Sequence, residues 1–235
     1  MMICGLQKMT LLDFPGKIAC TVFLGGCNFR CPFCHNSELF MGKPEKLMED
    51  EEFFKFLSTR KGLLDGVCVS GGEPTLYKDL PEFMARIKEM GFLVKLDTNG
   101  YRPEVMKDLV SRGLVDYIAM DVKNSPDLYA RTVGLENFDI APIEESLRFL
   151  LDGNVDYELR TTLVTQLHDE ASVLDMGAWL GGLVPGKRPG KLFLQSFVDR
   201  DTVLFGNLSA PETDVTQTFA RILEPFADSV TIRNP

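Results

Sequence analysis

Six short apolar runs recur along the chain, and polar or amphipathic stretches separate them. The runs are mostly rich in Val, Ile, Leu and Phe, and they cover residues 18–24, 66–70, 92–97, 117–121, 157–164 and 191–198. Short continuous apolar runs of this kind are typical of strands that are buried on both faces of a parallel sheet. The pattern therefore predicts six parallel strands.

Amphipathic stretches with helical spacing lie between these runs, at residues 49–59, 80–90, 103–112, 143–152 and 170–181. Pro81 and Pro103 suit the first turn of a helix, and Gly91, Gly113 and Gly153 suit positions just past a helix end. Strands that alternate with helices form a parallel sheet with right-handed crossovers. The periodicity alone allows either a doubly wound sheet or a partial barrel.

One domain is enough for 235 residues, because single α/β barrels commonly reach about 200–250 residues. We expect it to span residues 1–235, with a core at about 18–198 and a C-terminal extension at 199–235 that contains a helix at 211–226 and a short strand at 230–233. The sequence has neither a long apolar run nor the pattern of a secretion signal. We therefore expect a cytoplasmic protein that does not bind membranes.

The charge balance bears on the choice of partner. The chain has 34 acidic and 25 basic residues, which gives a formal net charge of −9. Non-specific binding of nucleic acids depends on clustered Lys and Arg. The acidic balance therefore predicts that nucleic acid is not a partner.

Polar or glycine-rich groups follow each of the first four predicted strands. They are GGCNFRC at 25–31, GGEPT at 71–75, TNG at 98–100 and Lys123. The carboxyl ends of parallel strands share one edge of a sheet, and active sites of such folds gather there. The sequence therefore predicts a functional site at this edge.

Three of the six cysteines, Cys27, Cys31 and Cys34, lie within eight residues in a CxxxCxxC spacing. In a reducing compartment, such crowding indicates metal binding or catalysis rather than disulfides. A structural zinc needs four ligands, and His35 is poorly placed to be the fourth. A redox pair in CPFC leaves Cys27 without a role. Three thiolates on an iron–sulfur cubane would leave one iron open to a further ligand.

The cysteine spacing with Phe33 before the last cysteine, followed by GGEPTL at residues 71–76, resembles the radical S-adenosylmethionine (radical SAM) superfamily. The resemblance covers about residues 5–197 and implies an α/β fold, an incomplete (β/α)6 TIM-like barrel of parallel strands. It implies a 4Fe-4S cluster on the three cysteines and no catalytic residue beyond the cluster and cofactor. It also implies that S-adenosylmethionine is contacted by Phe33, Gly71, Gly72, Glu73 and Pro74.

Further motifs resemble the glycyl-radical-enzyme activases of this superfamily, namely CHN at 34–36, DTNG at 97–100 and DVK at 121–123. This resemblance implies a monovalent cation near Asp97 and Asp121. It implies further cofactor contacts from Asp97, Thr98, Asn99, Asp121, Lys123 and, by strand order, Arg160. The opening, residues 5–36, is similar to the activating proteins of anaerobic ribonucleoside-triphosphate reductases.

The resemblance implies an oxidoreductase that cleaves S-adenosylmethionine and forms a glycyl radical on a partner enzyme, the anaerobic (class III) ribonucleoside-triphosphate reductase. A flavodoxin- or ferredoxin-like protein would donate the electron. Two alternatives stay open: activation of a pyruvate formate-lyase-type enzyme, and radical chemistry on a small molecule. A non-catalytic electron carrier is disfavoured, because a carrier needs no cofactor pocket.

Other residues receive ordinary structural interpretations. We expect Cys4, Cys20 and Cys68 to pack as small hydrophobic side chains. His168 has no partner pattern, so we expect it in a loop or at a helix start. Tyr77 is compatible with an adenine contact or with a surface position.

Overall fold

A computed structural model describes residues 1–42, 45–203 and 205–233 of the chain. Residues 204, 234 and 235 of the predicted C-terminal extension lie outside the described residues. The strands are β1 (Ile3–Thr10), β2 (Ala19–Leu24), β3 (Gly66–Gly71), β4 (Leu93–Thr98), β5 (Tyr117–Asp121), β6 (Asp156–Leu163), β7 (Leu192–Ser196) and β8 (Val230–Arg233). The helices are α1 (Asp50–Ser58), α2 (Leu80–Glu89), α3 (Pro103–Ser111), α4 (Pro126–Val133), α5 (Ala141–Leu151), α6 (Glu170–Gly182) and α7 (Thr213–Leu223).

The six predicted strands are confirmed as β2 to β7, with ends that differ by no more than two residues. The short strand β8 and the five predicted helices are confirmed as well, and α7 lies within the predicted terminal helix. Among the strands and α-helices given above, β1 and α4 were not predicted. The α/β fold with parallel strands is thus confirmed, while the single domain stays a prediction.

The chain is divided into two compact units, Met1–Asn28 with Asn36–Ala119 and Phe29–His35 with Met120–Pro235. In the first unit, β1 pairs antiparallel with β2, and β2, β3 and β4 pair in parallel. The register places Leu24 beside Gly71. The segments after β2 and β3 therefore leave the sheet at the same edge.

Aromatic side chains fill the helical layer of the first unit. Helix α1 buries Phe53, Phe54 and Leu57, which share one face because Leu57 lies four residues after Phe53 and three after Phe54. The Phe53 ring stacks on Phe83 of α2 with centroids 5.3 Å apart. This packing holds α1 and α2 together beside strands whose interior residues are fully buried.

In the second unit, β6, β7 and β8 pair in parallel. Asp169 directly precedes helix α6, and its carboxylate accepts a hydrogen bond from the Ser172 amide and caps the helix. None of the described helices has both the length and the apolar character needed to cross a membrane.

Candidate cofactor site

The turn after β3 approaches the segment after β2 more closely than any residue with a side chain allows. Gly71 has a φ of +124°, and a Cβ there would lie 2.3 Å from the backbone of Leu24. A Cβ on Gly72 would lie 1.9 Å from the carbonyl oxygen of Gly26. Only glycine fits both positions. The predicted glycine pair therefore packs its backbone directly against the segment that carries Cys27.

Glu73 is fully buried, and protein groups surround its carboxylate. Its Oε1 accepts hydrogen bonds from the amide and hydroxyl of Thr75, at 3.0 and 2.6 Å, and from the hydroxyl of Thr98 at 2.8 Å. Its Oε2 accepts the amide of Asn99 at 2.6 Å. Burial raises the pKa of Glu73, and these four hydrogen bonds oppose that effect. The side chain braces the segments after β3 and β4 against each other.

Two asparagines continue this network. Asn99 Nδ2 donates to Asn28 Oδ1 at 2.8 Å, and Asn99 Oδ1 accepts the amide of Tyr101 at 3.0 Å. Asn36 Nδ2 donates to the Gly71 carbonyl at 3.2 Å. Asn28, which follows Cys27, is thus held by the segment after β4, and Asn36, the last residue of the CHN motif, is held by the end of β3.

Asp97 lies at the end of β4 within a polar group on the sheet. Ser70 Oγ donates to its Oδ2 at 3.0 Å, and the Nζ of Lys95 contacts its Oδ1. Lys95 is almost completely buried and lies 3.9 Å from the Cys68 Sγ. The carboxylate of Asp97 therefore has a cationic neighbour in the first unit.

In the second unit, the cysteine segment is anchored by its backbone and aromatic rings. The amide of Arg30 donates to the Val133 carbonyl at 2.8 Å, and the amide of Cys34 donates to Cys31 at 3.1 Å. Cys31 and Phe33 are buried. The His35 ring stacks on Phe197, and its Nε2 lies 2.7 Å from the Val198 carbonyl. The segment after β7 thus packs on the residue next to Cys34.

Asp121, the last residue of β5, contacts two basic side chains, one just after β5 and one on β6. Arg160 Nε donates to its Oδ1 at 3.0 Å, and Lys123 Nζ contacts its Oδ2 at 2.9 Å. Lys123 Nζ also lies 5.8 Å from the centroid of the Phe33 ring. Burial alone would lower the pKa of Lys123, but the negative charges of Asp121 and Cys31 outweigh it, so the pKa is raised. This group links the strand end to the cysteine segment.

None of the six cysteines, all of which the structure describes, forms a disulfide. The donor set of the CxxxCxxC motif fits an iron–sulfur cluster, because three soft thiolates on one short segment are the ligands that such clusters use. Cys27 belongs to the first unit, and Cys31 and Cys34 belong to the second. No group of three His, Cys, Asp or Glu side chains among the described residues is already arranged around a metal position. The cluster ligands therefore stay a prediction, as do the cofactor contacts.

The structure adds residues that the sequence analysis did not identify, Asn28, Ser70 and Lys95. Lys95 had a recognisable signal, because it is a charged residue inside an apolar run and lies two positions from Asp97, on the same strand face. Tyr77 also receives a defined contact, since its hydroxyl donates to the Gly25 carbonyl at 2.6 Å. That contact fixes the loop after β2 from a second side.

Comparison with protein families gives a match to the model described as the radical SAM superfamily, over residues 21–172. A protein of Methanocaldococcus jannaschii, named provisionally as a glycyl-radical enzyme activating enzyme, is 34% identical over 239 residues and covers 99% of this chain and 95% of its own. The pyruvate formate-lyase-activating enzyme of Listeria monocytogenes is 31% identical over 177 residues, which are 71% of this chain and 70% of that enzyme.

Solved structures share the fold at low sequence identity. A radical SAM methyltransferase of Sphaerobacter thermophilus superposes with a TM-score of 0.73 at 17% identity, covering 96% of this chain and 68% of that protein. A domain of the pyruvate-formate lyase-activating enzyme of Bacteroides vulgatus gives a TM-score of 0.57 at 20% identity, covering 72% of this chain and 98% of that domain. These likenesses concern the fold alone.

Proposed function

This chain belongs to the radical SAM superfamily, and we propose that it is a glycyl-radical-enzyme activase whose partner is an anaerobic ribonucleoside-triphosphate reductase. The observation that carries the activase assignment is the 34% identity to the Methanocaldococcus jannaschii relative over nearly the full length of both chains. The choice of partner rests on residues 5–36, which resemble the activating proteins of these reductases.

Cys27, Cys31 and Cys34 would hold a 4Fe-4S cluster, leaving one iron for S-adenosylmethionine. When bound, the cluster and S-adenosylmethionine supply one-electron cleavage of a carbon–sulfur bond, which gives methionine and the deoxyadenosyl radical that removes a hydrogen atom from the partner's glycine. The protein's task is to bind, orient and exclude water.

We assign two groups of residues to that task. The backbone of Gly71 to Pro74 would meet the amino group of the cofactor, because the two glycines let this backbone lie directly against the segment that carries Cys27. Asp121, Lys123 and Arg160 offer one anion and two cations, and S-adenosylmethionine carries both signs of charge. Further contacts with S-adenosylmethionine would come from Phe33, Thr98 and Asn99. Glu73 would act through the loops that its carboxylate braces.

A monovalent cation near Asp97 and Asp121 is part of the same proposal. Each carboxylate already contacts a lysine or arginine, so a bound cation would compete with Lys95 or with Lys123 and Arg160. We expect S-adenosylmethionine to bind less tightly when sodium and potassium are replaced by choline at constant ionic strength. Unchanged affinity would remove the cation from the site.

The electron would come from a flavodoxin- or ferredoxin-like protein, and we expect the enzyme to act in the cytoplasm. Reduction of the reconstituted cluster by each donor, followed optically under anaerobic conditions, identifies which class is competent. A donor that reduces the cluster without supporting cofactor cleavage would not be the physiological one.

The test is anaerobic incubation of the reduced, reconstituted protein with S-adenosylmethionine and the reductase, followed by electron paramagnetic resonance and quantitation of 5′-deoxyadenosine. A glycyl doublet that requires the reductase supports the proposal. Deoxyadenosine without that doublet would point to another substrate, and an intact cluster that yields no deoxyadenosine would contradict radical chemistry altogether.

A matched pair of cysteine variants controls this experiment. Cys31→Ala is expected to lose the cluster absorbance and deoxyadenosine formation together. Cys20→Ala is expected to keep both, because Cys20 is buried in β2 and burial raises the pKa of its thiol to about 12. Retained cofactor cleavage in Cys31→Ala would refute the ligand assignment.

Activation of a pyruvate formate-lyase-type enzyme is the second candidate. The similarity to the Listeria monocytogenes pyruvate formate-lyase-activating enzyme over 71% of this chain favours it. Adding such a lyase in place of the reductase provides a direct comparison. A doublet with the lyase and none with the reductase would reassign the partner and keep the activase reaction.

A further inference from the structure

His168 is a buried histidine between the segments that follow β5 and β6. Its Nε2 lies 2.9 Å from the Lys123 carbonyl oxygen, and its Nδ1 lies 3.1 Å from the amide nitrogen and 3.2 Å from the carbonyl oxygen of Val164. The Lys123 carbonyl, the partner of Nε2, can only accept, whereas Nδ1 also has an amide donor, so Nε2 carries the proton of a neutral ring. In a neutral ring, Nδ1 then accepts from the Val164 amide. Both ring nitrogens are used, one on each segment.

The environment of His168 favours this neutral form. Burial lowers the pKa of the imidazole, and the nearby Lys123 and Val164 carbonyls, to both of which only a protonated ring could donate, oppose that effect. The His168 backbone amide also donates to the Val164 carbonyl at 2.9 Å, which turns the chain so that the ring faces Lys123. The ring is therefore held as a fixed donor toward one backbone carbonyl.

A second contact ties the same two segments in the opposite direction. Asn124, fully buried, donates from Nδ2 to the Leu167 carbonyl at 2.8 Å and to the Thr132 hydroxyl at 3.0 Å. His168 thus reaches from the segment after β6 to Lys123, and Asn124 reaches from the segment after β5 to Leu167. This reciprocal arrangement fixes the backbone on both sides of Lys123.

The backbone position of Lys123 decides where its ammonium group lies. That group contacts Asp121 at 2.9 Å and faces the Phe33 ring, next to Cys34. Resting on the proposed function, we infer that His168 is a positioning residue for S-adenosylmethionine binding. It holds the Lys123 backbone so that the Lys123–Asp121–Arg160 group is preformed between the cysteine segment and the end of β6.

Two substitutions separate this role from general packing. The amide of Asn reaches the position of Nδ1 and that of Gln reaches the position of Nε2. His168→Asn therefore keeps a partner for the Val164 amide and loses the donor to Lys123, whereas His168→Gln keeps the donor to Lys123. Each variant removes one of the two ring hydrogen bonds. A general loss of stability should therefore be similar in both, and a difference between them reports the contact with Lys123.

The first readout is equilibrium binding of S-adenosylmethionine to cluster-loaded protein, with iron content measured alongside. We expect His168→Asn to raise the dissociation constant about tenfold, because one well-placed buried hydrogen bond is lost. The dissociation constant of His168→Gln should stay within about threefold of that of the native protein. Iron content should match in all three. Equal affinities throughout, or equal losses in both variants, would overturn the inference.

The second readout is hydrogen–deuterium exchange of the amides at residues 121–125. We expect faster exchange there in His168→Asn and native rates in His168→Gln, because only the former frees the Lys123 carbonyl. Failure of the native protein to bind S-adenosylmethionine would refute the proposed function, while this exchange pattern still tests the role of His168. Native exchange in His168→Asn would refute that role.

Discussion

The side-chain amide of Asn99 donates a hydrogen bond of 2.8 Å to the side-chain carbonyl of Asn28. Asn28 directly follows Cys27, and Asn99 directly follows β4, so one contact joins a predicted cluster ligand to a predicted cofactor segment. The bond is part-buried, because Asn99 is buried and Asn28 is partly exposed. It therefore contributes to holding the Cys27 segment in a single position.

We expect a double-mutant cycle of Asn28→Ala and Asn99→Ala to give a coupling free energy of about 1 kcal/mol in urea unfolding. Both single variants should also release iron to a chelator faster than the native protein, because the segment that carries Cys27 loses a tether. Additive effects on unfolding would show that the two side chains act independently.

Glu73→Gln should destabilise the protein by about 1–3 kcal/mol. Four donors converge on the two oxygens of Glu73, and an amide offers one oxygen and one NH2 group, so at least one buried donor would face another donor. Urea unfolding measures the loss. The exposed Glu89 of α2 supplies the matched control, Glu89→Gln, for which we expect a change below about 0.5 kcal/mol.

The fold could be predicted largely because buried parallel strands form recognisable apolar runs. The strand β1 was not predicted because its sequence, ICGLQKMT, has no apolar run, and only its two end residues are buried. The helix α4 was not predicted because it has only eight residues. Its ends do have recognisable signals, Ser125–Pro126 at the start and Gly134, with φ of +71°, at the end.

The site was predicted less completely, and the reason is geometric. Spacing identified the cysteine segment, and strand order identified the residues that follow β3, β4 and β5. The hydrogen-bond donors to Glu73 have no sequence signature. The amides of Thr75 and Asn99 are backbone groups, and Thr98 and Asn99 lie 25 and 26 residues further along the chain. Lys95 was overlooked although its spacing from Asp97 places both on one strand face.

Arg233→Met should destabilise the protein by about 3 kcal/mol, the cost of breaking a buried ion pair by removing its cation. Arg233 of β8 forms hydrogen bonds of 2.9 and 2.8 Å to both oxygens of the buried Glu158, and its guanidinium lies 3.4 Å from the Phe193 ring centroid. The double variant Glu158→Gln with Arg233→Met should lose less than Arg233→Met alone, because no buried charge remains. Chemical denaturation compares them, and a larger loss in the double variant would contradict this assignment.

The stability of the native protein should fall as the pH drops below about 6.5, and His168 should account for part of that fall. Burial lowers the pKa of His168 below its ordinary value of 6.5, so the unfolded chain takes up a proton before the folded chain does. The contribution of His168 to stability is therefore fully present above pH 6.5 and is lost progressively as the pH falls toward the lower pKa of the folded state. His168→Gln should flatten this decline when unfolding free energies are measured between pH 7.5 and about 5.

His35 provides the internal control for this measurement, because the chain has only two histidines and burial lowers the pKa of His35 as well. The unfolding free energy of His168→Gln should therefore still depend on pH through the protonation of His35. His35→Gln should remove that remaining contribution and leave the contribution of His168. An unchanged pH dependence in His168→Gln would mean that the folded protein protonates His168 as readily as the unfolded chain does. In that case the ring could not act as the neutral acceptor for the Val164 amide.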